Sequence, residues 1–140
     1  MRRDQAHAFF DRYRDAFNTG DGGAVADLWH TPSSLTDTRE GVARVTCWTD
    51  DAAMRANMMA LCEVYRGVDE HGWTFELREH IPLGANHAFC HVAWAMTRGE
   101  ETLQRFATGY QLGQFDNGWR VLFCTAYQEN LSETKNHAAP

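Results

Sequence analysis

The amino-acid sequence predicts an α+β fold in which three N-terminal helices pack on one face of a strongly curved antiparallel sheet. Apolar residues before residue 67 recur mainly at helical spacing, whereas those after residue 72 alternate with polar ones. The chain has 140 residues, one domain's worth, and a chain of this size buries about two thirds of its unfolded surface. We therefore expect a single domain over residues 1–130 and a frayed tail over 131–140.

The first two helices are predicted to form a hairpin. Between Asp4 and Phe17 the apolar residues share one helix face: Ala6, Phe9, Phe10, Tyr13 and Phe17. Gly20 can end this helix by adopting a left-handed backbone. Asp21 can cap a short second helix that Pro32 closes, with an apolar stripe formed by Val25, Leu28 and Trp29.

A third helix is indicated by a cap and first turn at Thr49, Asp50 and Asp51, and Gly67 is its expected end. Its apolar face is rich in methionine: Met54, Met58, Leu61, Cys62 and Tyr65. Methionine fills irregular space, so this face suits either plain core packing or the wall of a pocket. Short strands are expected before the helix, at "SSLTD" and "GVARVTCW".

Four long alternating stretches follow and predict an antiparallel meander. They are "WTFELREHIPL", "HAFCHVAWAMT", "TLQRFATGYQLGQF" and "WRVLFCTAY". Both faces of the second stretch are too apolar for free exposure to solvent. We therefore expect one face to line a pocket under the helices and the other to form a homodimer interface that carries Phe89, His91 and Tyr110.

Charge and composition exclude several classes of partner. The formal charge is −6, from 13 Lys and Arg against 19 Asp and Glu, so no basic field attracts nucleic acid. No stretch reaches the roughly 20 apolar residues that span a bilayer, and we expect a cytoplasmic protein without a membrane partner. Cys47, Cys62, Cys90 and Cys124 form no C-x-x-C pair and have apolar neighbours, which predicts reduced core residues.

His87 and His91 have the H-x-x-x-H spacing that binds zinc on a helix. On a strand the two side chains lie about 13 Å apart at roughly 3.3 Å per residue, too far for one ion. We therefore expect no metal site, and no cofactor.

Three blocks resemble the nuclear-transport-factor-2-like superfamily: "RYRDAFNTGD" at 12–21, "DLWH" at 27–30 and "GWRV" at 118–121. The superfamily includes ketosteroid isomerase, scytalone dehydratase and the SnoaL-like polyketide cyclases, and the resemblance runs over nearly the whole chain. It implies a cone-shaped, cystatin-like α+β barrel around an apolar pocket. Because this fold hosts many activities, the resemblance by itself names no reaction.

The resemblance to ketosteroid isomerase implies roles for three residues. Tyr13 falls at the phenol that donates a hydrogen bond to the substrate oxyanion, and Asp37 falls at the general base. Gln111 falls closest to the second oxyanion donor, where that family has a carboxylic acid. We expect the pocket around them to be lined by aromatic and methionine side chains: Phe17, Trp29, Trp48, Met54, Met58, Trp94, Met96, Phe123 and Tyr127.

Two classes of function remain open on this basis. In the first, the protein is a cofactor-independent isomerase, cyclase or lyase that moves a proton on a small or polycyclic carbonyl compound. In the second, the protein is not a catalyst: it binds a small apolar molecule in the same pocket, or it is a dimerisation module. Under the second, Tyr13 is a core tyrosine and Asp37 caps a turn.

Overall fold

Three helices and six strands make up residues 1–68 and 71–128, the part of the chain that the computed structural model describes. The predicted tail at 131–140 lies outside the described residues. The helices are α1 (Arg3–Asn18), α2 (Gly22–Ala26) and α3 (Asp51–Arg66). The strands are β1 (Trp29–Arg39), β2 (Val42–Trp48), β3 (Gly72–Leu83), β4 (His87–Arg98), β5 (Glu101–Phe115) and β6 (Gly118–Gln128).

The strands form one curled, mixed sheet in the order β2-β1-β6-β5-β4-β3. The predicted meander is present as β3 to β6, and all of its neighbours pair antiparallel. The prediction of a purely antiparallel sheet is wrong in one respect, because β1 pairs parallel with β6. The two short strands predicted before α3 therefore complete the sheet as β1 and β2.

The second helix is shorter than predicted. Asp21 caps α2 by accepting a hydrogen bond from the Ala24 N–H, but the helix ends at Ala26. Two residues later the Leu28 carbonyl accepts a bond of 2.9 Å from the Val121 N–H of β6. This bond brings the chain into the sheet, so Trp29 begins β1 instead of extending the helix stripe.

Helix α1 is fixed to β3 at both ends. Near its start, Arg3 Nη2 donates to the Leu77 carbonyl over 2.8 Å. At its end, the Asn18 amide accepts from the Trp73 N–H at 2.7 Å and donates to the Trp73 carbonyl at 3.3 Å. Asn18 thus satisfies both backbone groups of one strand residue, which holds the apolar face of α1 over the sheet.

The strands alternate between two faces of the sheet. The inner face, which meets α1, carries Trp94 and Tyr110, and the ring of Tyr110 lies 4.9 Å from that of Phe10. The outer face carries Phe89 and His91, which are partly exposed. The prediction that Tyr110 lies with them is wrong, because Tyr110 is 3% exposed and packs under α1. The homodimer itself stays a prediction.

The cysteines are free, as expected, and Cys62, Cys90 and Cys124 are buried. Cys47 is exposed, contrary to the prediction, because it lies on β2 at the edge of the sheet and points away from the buried Trp48. None of the helices in the described part of the chain is long and apolar enough to cross a membrane.

Gly22 is the point of closest approach between α2 and α3. A Cβ atom at this position would lie 2.5 Å from Met59 Cα and 2.8 Å from Met59 N. Both are backbone atoms, so the two helices would have to separate to admit a methyl group. We expect Gly22→Ala to lower the free energy of unfolding by about 2–3 kcal/mol, measured by urea denaturation.

The matched control is Gly23→Ala, one residue further along α2. Its Cβ would meet the Asp21 side chain at 3.3 Å and no backbone atom at close range. Alanine also favours a helix over glycine by about 1 kcal/mol, so this variant should equal or exceed the wild type in stability. Equal losses from the two substitutions would contradict the assignment of the contact to Gly22.

Candidate functional site

A cavity of about 360 Å³ lies between the helices and the inner face of the sheet. Helix α1 contributes Tyr13 and Phe17, α3 contributes Met58, and β1 contributes Trp29 and Asp37. The other sequence-predicted residues that line it are Trp94 and Tyr127. The walls are mostly apolar with a few polar groups, which is the composition of a small-molecule site.

The structure places Gln111 outside this cavity. Gln111 pairs with Phe89 on one side and with Phe123 on the other, and these residues belong to the outer face. The neighbouring pair, Tyr110 and Cys124, lines the cavity instead. The residue of β5 that lines the cavity is Tyr110, one position before the predicted Gln111. Because side chains alternate along a strand, this difference of one position puts Gln111 on the opposite face of the sheet. Phe123 is excluded for the same reason.

Three other predicted lining residues are core residues that the cavity does not reach. Met54 is fully buried one helical turn before Met58, and Met96 is buried beside Trp73 on the neighbouring strand. Trp48 packs edge-on against Trp29, with ring centroids 6.0 Å apart, and is not among the residues described as lining the cavity. These side chains support the walls without forming them.

Sequence reasoning missed the inner face of β5, which contributes Gln104, Phe106, Thr108 and Tyr110 to the cavity. A signal was present. The intervening positions carry Arg105, Ala107, Gly109 and Gln111, so the larger apolar side chains of this strand lie at even-numbered positions. Helix α3 adds further lining residues that were not predicted as such: Asn57, Leu61 and Tyr65.

Two buried tyrosines in the cavity each accept a hydrogen bond from an indole. Trp29 Nε1 donates to the Tyr13 hydroxyl over 3.0 Å, and Trp94 Nε1 donates to the Tyr110 hydroxyl over 3.1 Å. The two tyrosine rings lie 5.6 Å apart. A buried hydroxyl with a fixed donor has little freedom to rotate, so both phenols are held in place before a ligand enters.

Each phenol keeps its own proton as a donor. A hydroxyl oxygen has two acceptor lone pairs and one proton. The indole N–H of Trp29 occupies one lone pair of Tyr13, and the indole N–H of Trp94 occupies one lone pair of Tyr110. Both tyrosines line the cavity, so the O–H of each is available as a donor there.

Burial keeps both phenols protonated. Removal from water raises the pKa of Tyr13, and the hydrogen bond from Trp29 only partly offsets that rise. Burial likewise raises the pKa of Tyr110 well above its ordinary value, and the nearby Tyr13 adds to the rise. Both groups are therefore donors across the physiological pH range.

A raised tyrosine pKa makes stability depend on pH in a defined direction. Above the ordinary value of 10.0, the unfolded chain loses protons that folded Tyr13 and Tyr110 keep. The free energy of unfolding should fall as pH rises past about 10, by up to roughly 1.4 kcal/mol per pH unit for each tyrosine. Tyr13→Phe should reduce this slope in urea titrations, and an unchanged slope would contradict the burial.

Asp37 is held asymmetrically at the wall of the cavity. Its Oδ2 accepts a hydrogen bond of 3.4 Å from Arg39 Nε, an exposed side chain. Its Oδ1 is buried and has no hydrogen-bond partner among the described residues. A buried carboxylate oxygen without a partner is costly. The side chain as a whole is 30% exposed, and Asp37 is among the residues that line the cavity.

The strand register brings Asp37 near the hydroxyl groups. On one side of β6, Ala126 pairs with Thr108 of β5. On the other side, Thr36 of β1 pairs with Thr125, so the next residue, Asp37, lies beside Ala126. Two strand spacings of about 4.8 Å therefore separate the backbones of Asp37 and Thr108. Tyr110 lies two residues, or about 7 Å, further along β5.

Cys124 lies between these groups on the inner face of β6. Burial raises the pKa of its thiol to about 12, and the negative charge of Asp37 adds to the rise. Such a thiol is a weak nucleophile, so Cys124 serves as an apolar part of the wall. Across residues 1–68 and 71–128, no group of three or more His, Cys, Asp or Glu side chains is arranged to hold a metal ion.

A protein family described as NTF2-like protein (DUF6841) matches residues 3–129, nearly the whole of this chain. The chain belongs to this NTF2-like family. The resemblance first drawn from the blocks at Tyr13, Trp29 and Trp119 is thereby confirmed at the level of the superfamily. No curated protein matches this NTF2-like chain.

Solved structures show the same fold. An NTF2-like protein with a cystatin-like fold from Novosphingobium aromaticivorans is 16% identical, with a TM-score of 0.73 over 99% of this chain and 88% of that one. A cystatin-like domain of unknown function from Nostoc punctiforme is 16% identical, with a TM-score of 0.72 over 96% and 82%. A ketosteroid isomerase-like protein from Erwinia carotovora atroseptica is 20% identical, with a TM-score of 0.60 over 93% and 99%. These similarities establish the NTF2-like fold alone.

Proposed function

We propose that this NTF2-like protein is a cofactor-independent enzyme that moves a proton on a carbon atom next to the carbonyl group of a small apolar compound. The observation that carries the proposal is the placement of the Asp37 carboxylate in one cavity with the buried phenols of Tyr13 and Tyr110. A base and an oxyanion site are the two groups that this reaction requires.

Each group has a defined part in the proposed reaction. Asp37 takes the proton from the carbon atom, which neutralises the carboxylate as negative charge develops on the carbonyl oxygen. Tyr13 and Tyr110, whose hydroxyls each accept a bond from an indole, donate hydrogen bonds to that oxygen. Return of the proton to another carbon gives an isomer, and loss of a leaving group gives elimination.

The ligand is small and neutral under this proposal. A cavity of about 360 Å³ is near the lower end of small-molecule sites, and its aromatic walls suit a flat ring system. The ketosteroid isomerase-like neighbour from Erwinia carotovora atroseptica supports a carbonyl ligand by analogy of fold. We use 2-tetralone as a probe, because it is a neutral bicyclic ketone with acidic hydrogens at C1.

Hydrogen exchange tests the proposal without knowledge of the natural substrate. In D₂O, proton NMR should show that the protein accelerates the loss of the C1–H signal of 2-tetralone above the buffer rate. Heat-denatured protein is the control for buffer and trace-base effects. Saturable binding without accelerated exchange, repeated with further ketones, would reject the enzyme and leave a small-molecule-binding protein.

A pair of substitutions on adjacent residues tests which face of β5 lines the site. Tyr110→Phe removes one hydroxyl from the inner face and should weaken 2-tetralone binding about 3- to 10-fold, as expected for one neutral hydrogen bond. Gln111→Leu changes the outer face and should leave the dissociation constant within about twofold of wild type. Tryptophan fluorescence titration measures both. The reverse order would place Gln111 in the site.

A further inference from the structure

The charge of the cavity is set by one residue. Asp37 is the only Asp, Glu, Lys, Arg or His side chain among the described residues that line it. The whole chain also has a formal charge of −6. A carboxylate or phosphate ligand would add a second negative charge to this partly desolvated space, which is unfavourable.

The walls around this charge are aromatic. Phe17, Tyr65, Trp94 and Phe106 all line the cavity, in addition to the tyrosine pair. Within this set, the ring of Trp94 lies 6.4 Å from Phe17 and 6.5 Å from Phe106. Aromatic faces carry partial negative charge and attract organic cations, and this attraction increases as water is excluded.

We infer that this cavity selects apolar ammonium ions over neutral and anionic molecules of the same shape, with the Asp37 carboxylate accepting the N–H hydrogen bond and the rings enclosing the apolar body. An ammonium group supplies the positive charge that this carboxylate lacks within the described cavity lining. The inference goes beyond the proposed function. It requires the carboxylate of Asp37 but no proton transfer from carbon.

Arg39 is the competing cation, and its contact with Asp37 is weak. The Arg39 side chain is 65% exposed, its bond to Asp37 Oδ2 is long at 3.4 Å, and Arg39 is not among the cavity-lining residues. Exposed pairs of this kind contribute little. Arg44 lies opposite Asp37 in the β1–β2 register and is also exposed. An ammonium ion can therefore compete with Arg39 for the carboxylate, and removal of Arg39 should strengthen ammonium binding by a small factor.

Three ligands on one bicyclic scaffold test the inference: 2-aminotetralin, 2-tetralol and tetralin-2-carboxylate. At neutral pH the wild type should bind the amine about tenfold or more tightly than the alcohol, because only the amine brings a positive charge to the carboxylate, and the carboxylate most weakly. Isothermal titration calorimetry gives the three dissociation constants. Equal binding of amine and alcohol would overturn the inference.

Variants assign the preference to Asp37. Asp37→Asn should reduce the amine-to-alcohol ratio to within about threefold, and an unchanged free energy of unfolding in urea shows that the fold is intact. Arg39→Gln should raise amine affinity, and Arg105→Gln on the outer face is the matched control. An amine preference that persists in Asp37→Asn would overturn the inference. Exchange on 2-tetralone is measured separately, so failure of either proposal is recognised independently.

Discussion

Asp37→Asn is expected to slow C1–H exchange of 2-tetralone by a factor of about 10² to 10⁴, the usual contribution of a positioned general base. The amide has the shape of the carboxylate but cannot take a proton from carbon. The tyrosine pair and its two indole partners are left intact, so ligand affinity should change little. The measurement is the exchange rate at saturating ketone, together with the dissociation constant.

Asp116→Asn is the matched control for this substitution. Asp116 is an exposed residue in the turn between β5 and β6 and lies outside the cavity lining. The rate of C1–H exchange of 2-tetralone with Asp116→Asn should equal the rate with wild type. A rate for Asp37→Asn within threefold of wild type would show that Asp37 is not the base, and a loss of both rate and affinity would indicate a damaged cavity.

Phe10→Ala is expected to lower the free energy of unfolding by about 3–5 kcal/mol, the usual cost of truncating a buried phenylalanine. Phe10 has no exposed surface and its ring contacts Phe9, Tyr110 and Phe75. A loss of this size is a large share of the 5–15 kcal/mol that stabilises a typical domain. Urea denaturation monitored by tryptophan fluorescence measures it.

The same substitution should also loosen the site, because Phe10 supports the ring of Tyr110 from the side of α1. We expect weaker binding of 2-tetralone in the fraction that remains folded. Phe115→Ala is the comparison, since Phe115 is partly exposed and stacks on His30 at the far end of β5. Comparable losses of stability from both variants would contradict the central place of Phe10 in the core.

Periodicity was sufficient to predict the long elements. The helix predicted over Asp4–Phe17 is observed as α1, and the four alternating stretches are observed as β3 to β6. Periodicity failed where an element is short and its pairing partner is distant in the chain. Nothing near Trp29 in the sequence indicates that β6 pairs there, so the end of the second helix could not be distinguished from the start of β1.

The site was predictable only in part. Tyr13 and Asp37 were reached through resemblance, and the structure places both in the cavity. The choice between Tyr110 and Gln111 depends on strand parity, and a one-residue error moves a side chain to the opposite face. Tyrosine and glutamine are both tolerated on either face of a half-buried strand, so the larger neighbours Phe106 and Leu112 carry the deciding information.

The parallel contact between β1 and β6 also affects the order of events during folding. Leu35 and Cys124, neighbours across these two strands, are 89 positions apart in the chain. Contacts between distant positions form late, because a long loop must close before they provide any stabilisation. In the folded protein β6 lies between β1, which carries Asp37, and β5, which carries Thr108. Until the ribosome has made β6, these two strands cannot be joined in one sheet, and the inner face of the incomplete sheet is exposed. Synthesis therefore passes through a stage in which this apolar surface can associate with other chains.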